Sequence, residues 1–147
     1  MAKILIVDDE ETMVRSLAAL LSAESYDVVL CTGGLYHLSN PSSFLEKVRN
    51  HVRQYLVVQS VVSLESDDPD YFVAPAPGRK HGCRFSAAYF VRMLSKAGFH
   101  MLEYGFNHLE GNDRPCDRGS CYALCSVEAE PLPGKASRYS DNKRMQD

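Results

Sequence analysis

Cys83, Cys116, Cys121 and Cys125, with His81 and His108 not far away, are the residues whose types could hold a borderline-soft metal such as zinc. Zinc sites favour tight C-x₂-C pairs, whereas the gaps between Cys116, Cys121 and Cys125 are four and three residues. That spacing predicts packed thiols rather than a metal centre. The odd total of five cysteines fits reduced side chains better than a disulfide framework, and Cys31, inside an apolar run, reads as core. His37, just beyond Gly33-Gly34, has the chemistry of a general base, with Tyr36 beside it. A single histidine after a strand more often packs or hydrogen-bonds. Asp8, Asp9, Glu10 and Glu11 directly follow an apolar run and favour a helix N-terminus through the backbone dipole.

The elements that must position these residues follow from hydrophobic period. Ile4 to Val7, Val28 to Cys31 and Leu56 to Val58 (extending toward Val62) are unbroken apolar runs, the pattern of strands covered on both faces. Val14, Leu17, Ala18 and Leu21 form one helical stripe. Phe44, Leu45, Val48 and Val52 form a second, capped by Asn40 before Pro41. Phe90, Met93, Leu94 and Ala97 form a third, capped by Ser86 and ended at Gly98. The Asp-, Pro- and Gly-rich stretch from Ser66 to Arg84 predicts a long loop. Two strands, about Phe99 to Leu109 and Cys121 to Glu128, flank a polar turn and read as an antiparallel hairpin. The expected fold is α/β: a mainly parallel five-stranded Rossmann- or flavodoxin-like sheet with a C-terminal hairpin and three helices, over residues 1–130, followed by a polar tail, 131–147.

A chain of 147 residues with 45% hydrophobic content supports one core, and a net charge of −3 argues against a nucleic-acid binder. No stretch approaches the ~20 apolar residues of a membrane span. Asp8 to Glu11 interrupt any signal-peptide pattern, so a cytoplasmic protein is expected.

Two resemblances sharpen this reading. Met1 to about Val29, through "KILIVDDEETMVRSLAALLSAESYDVV", resembles the first strand, helix and second strand of a response-regulator receiver. That resemblance implies Mg²⁺ at Asp8 and Asp9, whose carboxylate oxygens suit that ion. No aspartate ends the next strand, where Cys31-Thr32-Gly33 stands, and the family's late Lys-Pro dipeptide is missing. From about 26 to 128 the chain resembles the second half of a class I S-adenosylmethionine-dependent methyltransferase, through "YDVVLCTGGLYHLSNPSSFLEKV", "YLVVQS" and "FSAAYFVRMLSKAGF". In that family the loop Gly33, Gly34, Leu35, Tyr36 and His37 borders cofactor and substrate, which makes the first three cofactor-binding candidates and the last two catalytic candidates. The family's glycine-rich turn after strand one is replaced by Asp8 to Glu11, and the acidic residue that takes the ribose hydroxyls has no counterpart.

These readings lead to a non-catalytic α/β chimera carrying remnants of two sites, with no cofactor expected. The alternatives are an S-adenosylmethionine-dependent methyltransferase and a receiver-like signalling module that works without phosphorylation. Removing the family's second and third strands leaves an order in which every parallel step runs one way, so right-handed crossovers put all the helices on one face. The bare face would be apolar, and a homodimer is the expected partner arrangement.

Overall fold

Parallel pairing begins at the chain's start. A computed structural model describes residues 1–8, 22 and 24–129. In it β1 (Ile4–Val7) lies beside β2 (Tyr26–Thr32), and β2 beside β3 (Val52–Val62). A 3-10 turn (Leu35–His37) and α1 (Pro41–Arg49) connect β2 to β3. The loop after β3 holds a small antiparallel ribbon of β4 (Phe72–Val73) and β5 (Arg84–Phe85). Next come α2 (Ala87–Lys96), β6 (His100–His108), a second 3-10 turn (Pro115–Asp117) and β7 (Gly119–Ser126). The last strand inserts antiparallel between β3 and β6, giving the five-stranded order β1-β2-β3-β7-β6. This is the Rossmann-like α/β sheet with a C-terminal hairpin that the sequence predicts. The helix expected between β1 and β2 and the tail from 131 onward lie outside the described residues.

Local chemistry sets the helix starts. Asn40 Oδ1 accepts from the Ser43 amide at 3.0 Å with Pro41 in the first turn, and Ser86 Oγ accepts from the Tyr89 amide at 3.0 Å. Such caps satisfy amides that have no partner within the helix and are each worth about 1 kcal/mol. Past α2, Gly98 takes φ 89°, the left-handed conformation that ends helices at glycine. One expectation needs correction here. Val52 does not complete the stripe of Phe44, Leu45 and Val48, because α1 stops at Arg49 and Val52 opens β3, paired with Tyr26. Sheet pairing overrides a helical spacing that extends one turn too far.

The core lies on the helix side of the sheet. Val7, Val29, Cys31, Leu56, Val58, Cys121 and Cys125 pack beneath Leu45 and Val48 of α1 and Phe90 and Leu94 of α2, and the two helices touch each other. On the opposite face Ile6, Leu30, Val57 and Leu124 stand side by side across four strands. Of these only the last three are half-buried; Ile6 is 58% and Ile4 57% exposed. Unbroken apolar runs therefore do not mean two covered faces here: β1 is an edge strand, and both described helices sit on the other side. No described helix is long and apolar enough to cross a membrane.

Candidate functional site

Three connections converge at the carboxyl ends of β2 and β3, where open parallel sheets bind ligands. The 3-10 turn after β2 contributes Tyr36 and His37, and the end of β3 contributes Val61. The loop before β5 contributes Ala76 and the run Arg79, Lys80, His81 and Gly82. The turn between β6 and β7 adds Leu109, Asn112 and Asp117. Together with Arg84 of β5 they enclose about 420 Å³, within the usual range for small-molecule sites.

Charge pairing holds the floor in place. Arg84 Nε donates to Asp117 Oδ1 at 2.5 Å, and both side chains are nearly buried, at 7% and 9% exposure. The Arg84 guanidinium also donates to the Cys83 carbonyl at 2.7 Å and the Tyr36 carbonyl at 3.4 Å, and lies 5.2 Å from the Tyr36 ring centroid. Arg114 approaches the second Asp117 oxygen at 3.5 Å and donates to the Pro77 carbonyl. The β6–β7 turn is thereby tied to the basic loop. Ala76 and Gly82 close that loop through an amide-to-carbonyl bond of 3.0 Å, and the Cys83 amide binds the Tyr36 carbonyl at 2.9 Å.

The sequence candidates separate on this geometry. Tyr36 and His37 do line the pocket, their rings 4.1 Å apart, with His37 exposed. Leu35 points into the core at 0% exposure and so offers no side-chain wall to a cofactor. The Gly33 amide is already engaged by Gln59, bonding its side-chain Oε1 at 2.9 Å and its carbonyl at 3.2 Å, while the Gly34 carbonyl accepts from His37. Asp8 is exposed just past β1, and Asp9 lies outside the described residues. Sequence reasoning missed Arg79, Lys80, Arg84, Asn112 and Asp117. The signal available was the basic run between Gly78 and Gly82, since a charged, glycine-bounded loop is where function concentrates.

All five cysteines are buried free thiols. Burial pushes Cys31, Cys83 and Cys125 up to about 12 and Cys121 to about 11, because an apolar surrounding disfavours the thiolate. Among the described residues no three His, Cys, Asp or Glu side chains are grouped to hold a metal.

A sheet of this order with its pocket beyond β2 and β3 defines an α/β domain of the methyltransferase kind. The profile of the methyltransferase domain family matches residues 4–104, and the chain belongs to that family. The match takes in β1 and crosses the junction expected at Tyr26 to Val29, so the strand read as receiver-like falls within the methyltransferase match. No curated protein is similar enough in sequence to count as a relative. Solved structures show the same fold. A SAM-dependent methyltransferase from Methanosarcina mazei is 11% identical over 86% of this chain and 82% of its own, with a TM-score of 0.53. The magnesium protoporphyrin IX methyltransferase of Synechocystis PCC 6803, with SAH bound, is 13% identical over 74% and 48%, at 0.51. The N-terminal domain of EvdMO1, also with SAH bound, is 16% identical over 85% and 64%, at 0.55. The chain thus spans about half to four-fifths of the lengths of these solved chains.

Proposed function

We propose that this methyltransferase-family domain holds a small methyl acceptor in the pocket beyond β2 and β3, keeping the acceptor side of the site while its cofactor side is incomplete. The observation that carries this reading is the pocket itself, built on a buried Arg84–Asp117 pair at the ligand-binding end of the sheet.

The residues present do not fit S-adenosylmethionine well. No glycine stands between Met1 and Thr32 to let a backbone approach the cofactor, and the Gly33 amide already bonds Gln59. Among the described residues β1 is the sheet's edge, and no strand beyond it carries an acid for the ribose. Two lost hydrogen-bonding contacts of about 1.5–3 kcal/mol each weaken affinity by roughly two to four powers of ten. Isothermal titration of the chain with S-adenosylmethionine and S-adenosylhomocysteine is therefore expected to give millimolar or weaker binding. A micromolar dissociation constant would establish the second reading instead, a working S-adenosylmethionine-dependent methyltransferase, which the family match and the SAH-bound neighbours favour. For a receiver-like origin of residues 1–29, and for Mg²⁺ at Asp8 and Asp9, the support is the sequence resemblance.

The proposed partner is a second copy of this chain, seated on the row of Ile6, Leu30, Val57 and Leu124. A two-fold axis would bury the exposed Ile4 and Ile6 of both copies. Light scattering at micromolar concentration is expected to give twice the mass of one chain; a strict monomer discards the dimer.

A further inference from the structure

The geometry points to a small organic anion, a carboxylate or phosphate monoester with an apolar body, as the ligand of this pocket, with Arg79 and Lys80 binding its charge. The inference rests on reading the pocket as an acceptor site and adds the acceptor's chemical class. Arg79, Lys80, His81 and Arg84 bring cationic or protonatable groups to the lining, whereas Asp117 is its one carboxylate. That carboxylate is already shared between Arg84 at 2.5 Å and Arg114 at 3.5 Å. The Arg84–Asp117 pair is thus a neutral floor, and Arg79 and Lys80, both exposed, leave the mouth with positive charge that nothing in the lining offsets. The chain as a whole carries −3, so a local cationic mouth runs against the global balance and draws anions toward this one place.

Preorganisation is the second observation. The basic loop is closed on itself by the Ala76–Gly82 bond at 3.0 Å and by the Arg79 amide on the Ala76 carbonyl at 2.8 Å, and Arg114 clamps it at Pro77. A loop already held in one shape loses little freedom when it binds, which leaves more of the interaction as affinity. Val61, Ala76 and Leu109 also line the pocket and supply apolar surface for the body of the ligand.

The test titrates the full chain with benzoate, phenyl phosphate and neutral benzamide, followed by calorimetry and by the amide resonances of Gly78 and Gly82. At least one anion is expected to bind, with shifts at both glycines, and to do so at least about tenfold more tightly than benzamide. Comparing benzoate with phenyl phosphate tells carboxylate from phosphate. In the Arg79→Ala/Lys80→Ala double variant, anion affinity is expected to fall about tenfold or more with the melting temperature unchanged, because both side chains are exposed. Benzamide binding as tightly as the anions, unchanged anion affinity in the double variant, or no anion binding at about 10 mM would each overturn the inference. Its failure is separable from that of the acceptor reading. An anion that binds but receives no methyl group from S-adenosylmethionine, added at a concentration that calorimetry shows to saturate the chain, upholds the inference and strikes only the acceptor reading. Methylation of a neutral acceptor, equal in wild type and double variant, upholds the acceptor reading and discards the anion.

Discussion

Replacing Asp117 with alanine is expected to destabilise the domain by about 3–5 kcal/mol, the usual cost of removing one partner of a buried ion pair. Arg84 would then be left almost fully buried with no carboxylate, its charge facing the carbonyls of Cys83 and Tyr36 and the Tyr36 ring. For a domain of this size each kcal/mol moves the melting temperature by about 3 °C, so a drop of roughly 10 °C is expected in a thermal melt. The double variant Arg84→Met/Asp117→Leu is the informative comparison. An apolar pair of similar volume removes both desolvation penalties, and stability should return to within about 1–2 kcal/mol of wild type. If Asp117→Ala melts like wild type, the pair does not hold the pocket floor.

Gly82→Ala is the second large effect, and it acts on the pocket from the other side. Gly82 sits at φ 79°, and a β-carbon there would lie 2.7 Å from the Tyr36 carbonyl oxygen. That oxygen is backbone and accepts from the Cys83 amide at 2.9 Å, so it cannot move aside without breaking the join between the β2 turn and the basic loop. Left-handed strain and the clash together should cost about 2–3 kcal/mol and abolish ligand binding in the pocket. Gly111 provides the control: at φ 76° an added β-carbon meets nothing within 4 Å, so Gly111→Ala should cost only the conformational term, about 1 kcal/mol, and leave ligand binding intact. Denaturant melts paired with ligand titrations separate the two. Equal losses at the two positions would mean that the close approach to Tyr36 has no consequence.

What the sequence disclosed, and what it hid, divides along the distance over which each signal acts. Asn40 before Pro41, and Ser86 ahead of its apolar stripe, are local signatures, and both caps form, on the amides of Ser43 and Tyr89. β1 spans the residues its apolar run marks, and the C-terminal hairpin forms where two strands flank a polar turn. β4 and β5 had no legible period because each is two residues long. The residues lining the pocket show the same division. Tyr36 and His37 follow directly from a strand end and were visible. Arg84 and Asp117 lie 33 residues apart, and nothing in either neighbourhood announces that a turn and a ribbon will bring them to 2.5 Å. Two expectations of physical character failed: Val52 opens β3 instead of extending the stripe of α1, and Ile4 and Ile6 of β1 stand exposed, because apolarity reports what a residue can bury and not which element will hold it or where the helices stand.

The placement of β7 has a consequence for how the molecule comes into being. Among the described strands β6 pairs only with β7, and β7 is the last of them in chain order. A chain emerging from the ribosome can join β1, β2 and β3 one after another as each parallel neighbour appears. It must then hold β6 without a berth until Ser126 has cleared the exit tunnel. Phe90 and Leu94 of α2 meet Cys121, Ala123 and Cys125 in the same core, so that half of the interior closes late and in a single event. Until then the edge of β3 that β7 will cover, from Tyr55 to Val62, stands unpaired and open to a wrong strand.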